Sequence, residues 1–161
     1  MGWAAAALVC LSVGGLWWLA GRDAPERLAE EFAFVEPGLP VLMGTSPHTM
    51  DAIMNAYKQE DLPLARRLLM EAVEEEPQND TLQYFIGVID LREGHFQASE
   101  RWFARVPERS AFAAKARYGS ALCALRQNEV QRARDQLLLV AGMADAQFAA
   151  RSRALLDRLN Q

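Results

Sequence analysis

Few side chains in this sequence are of the types that make or break covalent bonds, and their spacing argues against catalysis. A nucleophile needs a base within reach, most often a histidine. The chain has two, His48 and His95. His95 falls at a turn position and His48 in a loop ahead of a predicted helix, and neither has a partner spaced to form a dyad. Glu74, Glu75 and Glu76 form an acidic run near a predicted helix end. One run lacks the converging ligands of a metal site or a paired-carboxylate catalyst, and it reads as a solvated face. Cys10 and Cys123 are far apart in sequence and too few for a disulfide framework. The chain carries neither a glycine-rich phosphate loop nor metal-ligand spacing. The expectation is a protein that is not an enzyme, without cofactor, metal or small-molecule substrate.

The elements that would position any binding residues follow from composition and pattern. With 161 residues, 51% of them hydrophobic and 24% charged, the chain is long and apolar enough for a real core. A net charge of -4 gives no electrostatic support to nucleic-acid binding.

Residues 2–21 contain no charged side chain. As a helix such a run spans roughly 30 Å, the thickness of a bilayer core. Trp3 stands near one end and Trp17 and Trp18 near the other, where interfacial aromatics belong. A cleaved signal peptide would need a basic start and a small-x-small site, and the run offers neither. The reading is an uncleaved transmembrane anchor, with a signal peptide and a buried soluble helix as the alternatives. Arg22 and Arg27 follow the run and favour a cytoplasmic location for that side.

Residues 22–46 form a connector. Pro25 to Glu31 could make a short helix. Phe32, Phe34, Val35, Leu39, Val41, Leu42 and Met43 are then interleaved with Pro37, Gly38, Pro40 and Gly44. That density of breakers denies a long helix or a central strand. The stretch is expected to cap the next unit at its amino end. The alternatives are a self-ligand lying in a groove and a docking surface for a membrane partner.

From there a spacing of 34 residues runs through the chain. Leu62, Phe96 and Val130 lie on it, as do Ala65, Ser99 and Ala133; Leu69, Phe103 and Leu137; Ala72, Val106 and Val140; and Ile53, Gly87 and Ala121. A period near 34 is the length of one helix–turn–helix unit of a stacking array. Three pairs are predicted within 47–142: Thr49–Lys58 with Pro63–Glu74, Asp80–Arg92 with Phe96–Arg105, and Ala111–Gln127 with Val130–Ala141. Ser46 and Pro47 supply a helix start. Asp61, His95 and Glu129 sit in the tight turns, and Gly94 and Asn128 precede them where a left-handed cap is needed. A last amphipathic helix, within 145–160, carries Phe148, Leu155, Leu156 and Leu159 on one side and caps the carboxy end. The fold class is therefore all-α, an α-solenoid behind an amino-terminal transmembrane helix.

These residues resemble the tetratricopeptide repeat (TPR) family. The second unit matches best, with Gly87, Gly94, Phe96, Ser99 and Phe103 at that repeat's small, turn and aromatic positions. Leu62, Ala65, Leu69, Ala72 and Pro77 match in the first unit, and Ala121, Val130, Ala133, Leu137 and Val140 in the third. Ile53 and Ala111 depart from the pattern. The resemblance covers about two-thirds of the chain. It implies that the first helix of each pair lines a concave face that binds a polypeptide. Carried over position by position, the groove comprises Met50, Met54, Tyr57 and Lys58; Thr81, Tyr84, Val88, Leu91 and Arg92; and Lys115, Tyr118, Leu122, Leu125 and Arg126. Tyrosine and arginine are hot-spot types and methionine adapts to varied partners. A short helix or extended segment with an acidic edge would fit. Val88, Leu91, Leu122 and Leu125 also fit a plain core assignment. Met54 and Val88 stand where a carboxylate clamp would need asparagines.

The layout of a single span, a Phe/Pro-rich segment and three repeats ending Leu155-Leu156-Asp157-Arg158-Leu159 is similar to membrane-anchored TPR proteins of Bacteroidetes-type bacteria. That similarity implies an inner-membrane protein with its repeats in the periplasm, against the indication of Arg22 and Arg27, so the cytoplasmic side stays open. Two functions are expected. The first is a membrane-anchored adaptor or scaffold that binds a protein partner in its groove. The second is a small structural accessory subunit of a larger membrane complex. Gly14, Gly15 and Ala4 to Ala7 would let the span pack on another helix.

Overall fold

The structure, a computed structural model, describes residues 24–39 and 49–161. Among them are eight helices and no strand: α1 (Pro25–Glu31), α2 (Thr49–Lys58), α3 (Leu62–Glu75), α4 (Asp80–Arg92), α5 (Phe96–Phe103), α6 (Ala113–Arg126), α7 (Val130–Ala141) and α8 (Ala146–Leu159). No helix among the described residues is long and apolar enough to cross a membrane. The run 2–21, expected to do so, lies outside them, as do residues 40–48 with the Ser46–Pro47 helix start.

From α2 to α8 each helix packs on the next. Contact also skips along the inner row: α4 touches α6, and α6 touches α8. Burial separates two kinds of helix. The outer helices α3, α5 and α7 bury one stripe each: Ala65, Leu69 and Val73; Ser99 and Phe103; and Ala133, Leu137 and Val140. That stripe is the apolar face of an amphipathic helix. The inner helix α4 buries every residue from Leu82 to Asp90, and α6 is covered almost as fully. Such helices must be covered on all sides, by the pairs before and after them and by a further layer on the inner face.

The turns inside the three pairs are the same turn. Glu60, Gly94 and Asn128 have φ of +62°, +80° and +59°. The N–H groups of Asp61, His95 and Glu129 donate to the carbonyls of Ala56, Asp90 and Ala124 at 3.0, 2.7 and 2.8 Å. Those of Glu60, Gly94 and Asn128 donate to Tyr57, Leu91 and Leu125 at 3.1, 3.2 and 3.0 Å. This doubly bonded left-handed helix end satisfies two orphan carbonyls each time. Gly94 and Asn128 suit it, whereas Glu60 holds it against its own preference.

One aromatic ring sets the closeness of the second and third pairs. The Cβ atoms that Gly87 and Gly119 lack would lie 2.7 and 2.5 Å from the Phe103 ring. Phe103 on α5 therefore wedges between α4 and α6 where both have no side chain. Beside it the buried Ser99 hydroxyl donates to the Gly87 carbonyl at 2.7 Å. α5 ends at Phe103, short of the expected Arg105, and α6 starts at Ala113 rather than Ala111. The chain tightens into three-residue bonds from Arg105 to Trp102 and from Val106 to Phe103 before Pro107, which has no N–H to continue a helix.

Two stability outcomes follow. Gly119→Ala should lower the unfolding free energy by about 1–3 kcal/mol through overpacking against Phe103, read as a fall in the urea midpoint. Glu60→Gly should raise it by up to about 1 kcal/mol, since relief of the left-handed strain exceeds the loss of an exposed ion pair with Arg92.

Candidate peptide-binding groove

The layer that covers the inner helices is the chain's own connector. α1 lies against α6 and α8, with Leu28 and Ala29 buried. Two ion pairs at its end fix it there, Glu30 to Arg126 at 2.5 Å and Glu31 to Arg158 at 2.8 Å. From Ala33 the chain continues without helical structure across the inner face and reaches α2 at Gly38 and Leu39. It runs from the third pair to the first, opposite to the order of the repeats. The expectation was a cap on the first unit. The observed path instead touches all three pairs, at Tyr118 and Lys115, at Tyr84 and at Tyr57.

The segment alternates. Phe32, Phe34 and Glu36 turn inward, while Ala33, Val35 and Pro37 face solvent, Val35 at 93% exposure. Phe32 ends α1, and from Ala33 on this is the two-residue period of an extended chain. Each inward position meets a set of groove side chains. The Tyr118 hydroxyl donates to the Phe32 carbonyl at 2.9 Å. The Phe34 ring packs edge-on against Tyr118 and Phe148, with centroids 5.9 and 5.2 Å away. The Glu36 carboxylate accepts from the Tyr84 hydroxyl at 2.7 Å and from Lys115 Nζ at 2.9 Å. The Glu36 carbonyl accepts from the Tyr57 hydroxyl at 2.8 Å. Gly38 then turns with φ of +77°, where a Cβ would lie 3.2 Å from the Tyr57 ring and 3.4 Å from Lys58 Cε. The Leu39 N–H points at Met54 Sδ, 3.3 Å away.

Of the fourteen groove residues named from the sequence, Met54, Tyr57, Lys58, Tyr84, Lys115, Tyr118 and Arg126 thus converge on residues 30–39. Arg92 stands at the rim, over the Tyr57 ring at 5.6 Å and paired with Glu60. Together with Arg126 it flanks a cavity of about 220 Å³ left between Phe34, Ala33 and Leu122. Met50 is half-buried against the core, and Val88 is a core residue. Of the four further positions, Leu122 and Leu125 are buried, Leu91 is half-buried against the core, and the Thr81 backbone N–H is capped by the Asn79 side chain. Three groove contributors were not in that set. Phe112 stacks on Tyr84 at 4.6 Å, Phe148 comes from the capping helix, and Glu36 is the acidic residue of the ligand-like segment itself. A lone glutamate inside an apolar Pro/Gly stretch was the available signal for Glu36. Nothing in the repeat pattern marks Phe112.

Electrostatics match the geometry. Only 4% of the Glu36 side chain is exposed, and Tyr84 and Lys115 supply the donors that a buried carboxylate requires. Burial raises the Tyr84 hydroxyl far above its ordinary pKa, and its bond to the Glu36 carboxylate adds to the rise. Burial also raises Tyr57, and it pushes Tyr118 up to about 12. The tyrosines therefore stay protonated, as donors must.

Elsewhere, His95 stands at the turn between α4 and α5, with Nδ1 3.7 Å from both Asp90 and Glu93. The buried Asp90 carboxylate is held by Arg66 at 2.8 Å, an ion pair that ties α3 to α4. The side chains of Asp90, Glu93 and His95 lie close enough together for one cation. Arg66 Nε donates to Asp90 Oδ1, and Asp90 Oδ2 is buried without a hydrogen-bond partner among the described residues. Comparison with protein-family models, with curated proteins and with solved structures finds no match.

Unfolded tyrosines ionise near pH 10, and the buried ones only at higher pH. The folded state therefore loses stability as pH rises from about 10 towards 12. Helical circular dichroism with urea across that window should show the fall. Tyr118→Phe should cost about 1 kcal/mol at pH 7 for the lost hydrogen bond, yet make the alkaline fall shallower.

Proposed function

We propose that this chain is a tethered protein-interaction module. Three TPR-like helix pairs and a capping helix would present a concave groove, joined through residues 24–39 to a membrane anchor at residues 2–21. One observation carries this reading: the groove already holds an extended segment in a peptide-like manner. It grips main-chain carbonyls with Tyr57 and Tyr118 and reads side chains at Phe34 and Glu36. A surface of hydroxyls on carbonyls, an aromatic slot and a carboxylate site suits an extended polypeptide, which is one of the recurring modes of peptide recognition. The 34-residue recurrence of the left-handed turn and of the small inward positions supports the TPR-like assignment. The uncharged run 2–21 supports the anchor, and the layout resemblance favours the periplasmic side for the repeats.

A second reading, a small accessory subunit of a membrane complex, draws on a different face. Leu138 and Leu139 on the outer helix α7 are more than half exposed, and a subunit contact would cover them.

Photocrosslinking side chains placed one at a time at Lys58, Arg92 and Leu138 of the full chain separate the two readings. In native membranes, adducts to a protein partner should form from Lys58 and Arg92 and be absent from Leu138, as read by mass spectrometry through a carboxy-terminal tag. Adducts from Leu138 alone would overturn the groove reading and favour the subunit.

A further inference from the structure

The groove is closed by its own chain, and the way it is closed states the chemistry of what could open it. This step rests on the reading of the groove as a peptide site and names the ligand class. The contacts fall into two kinds. Tyr57 donates to the Glu36 carbonyl, which any extended peptide offers, and Tyr118 donates to the carbonyl of Phe32, where α1 ends. Phe34 and Glu36 supply the contacts that depend on side-chain type, through the Tyr118–Phe148 slot and the Tyr84–Lys115 donor pair. The positions between them face water and are unread.

The closure is also of a kind that can be exchanged. Among the described residues, no backbone–backbone hydrogen bond ties residues 34–39 to the helices. Every polar hold on residues 34–39 involves a groove side chain, as donor from Tyr57, Tyr84 and Lys115 and as acceptor at Met54, so a second segment of the same chemistry could take the same partners with no helix rearranged. The segment is also continuous with α1, which is fastened by its ion pairs at the far end of the groove.

We propose that residues 33–39 are an intramolecular latch, and that the groove's partner is an extended segment of another protein with an aromatic residue two positions before a glutamate. The partner binds by displacing the latch. A tethered competitor acts at an effective concentration of order mM for a short linker. The unaltered chain must then bind a free peptide at least tenfold more weakly than a chain whose latch is disabled, because apparent affinity scales with the open fraction.

The test uses the full chain in mild detergent and a fluorescent peptide of residues 32–39 (Phe-Ala-Phe-Val-Glu-Pro-Gly-Leu). Substitutions are placed on the latch and not on the groove, because a groove change would weaken latch and peptide together. Phe34→Ala with Glu36→Gln should tighten peptide binding at least tenfold by fluorescence anisotropy, and adding Lys115→Ala should remove that gain. A folded double variant that binds no better than the unaltered chain overturns the proposal. A second readout does not depend on that variant's folding. Val35 faces solvent, so a spin label at Val35→Cys, with Cys10→Ser, leaves the latch seated. Millimolar peptide should increase the label's mobility, and no change overturns displacement. A concentration-dependent dimer abolished by the latch substitutions would give the groove to a second copy, and it too overturns the proposal. If groove-side crosslinking succeeds while the peptide fails in both assays, the interaction module stands without this latch. If neither works, both readings fall.

Discussion

A carboxylate removed from water must be met by donors, and this requirement organises the inner face of the molecule. Glu36 is the residue on which all three helix pairs converge. Tyr57 from α2 holds its carbonyl, while Tyr84 from α4 and Lys115 from α6 hold its carboxylate. Leaving a buried charge unpaired costs several kcal/mol, whereas a paired and hydrogen-bonded one is tolerated. The position of Glu36 therefore fixes the register of the whole segment. Phe34 lands two residues earlier in the aromatic slot, and Gly38 two residues later at the turn over Tyr57.

That convergence depends on how the pairs stack. The left-handed turns at Glu60, Gly94 and Asn128 end the first helix of each pair in the same way. Phe103 fills the space left by Gly87 and Gly119, bringing α4 and α6 close enough for Tyr84 and Lys115 to meet on one residue. Turn, wedge and groove form one causal chain. Local backbone conformation sets the helix pair, close packing sets the distance between pairs, and that distance sets the reach of the side chains that line the inner face.

The inner helices show why the residues on this face serve two purposes. Tyr84 and Tyr118 are fully buried, as core residues would be, yet their hydroxyls face the segment and spend their donors on it. An aromatic body in the core with a polar tip at the surface lets one side chain support the stack and grip a chain lying across it. The same arrangement explains why α4 has almost no polar face: its outer surfaces belong to neighbouring pairs and its inner surface to the segment.

Much of this was present in the linear sequence. The 34-residue period located the helices from α2 to α7 and the turn residues Gly94 and Asn128, while seven of the residues that meet on the segment were named from the TPR resemblance. Period and turn chemistry are local properties, so a string of residues can carry them. The left-handed Glu60 and the glycine at 119 were not legible from residue type; the paired hydrogen bonds of the turn impose the first and the Phe103 ring the second. The path of residues 33–39 was open among three alternatives in the sequence, since proline, glycine and apolar residues in mixture exclude regular structure without saying where the chain goes. The tertiary structure decided it. Only when three pairs stack does a surface exist with two carbonyl-binding hydroxyls, an aromatic slot and a donor pair at the spacing of an extended chain. Burying Glu36 is favourable there and at no place that the sequence alone defines.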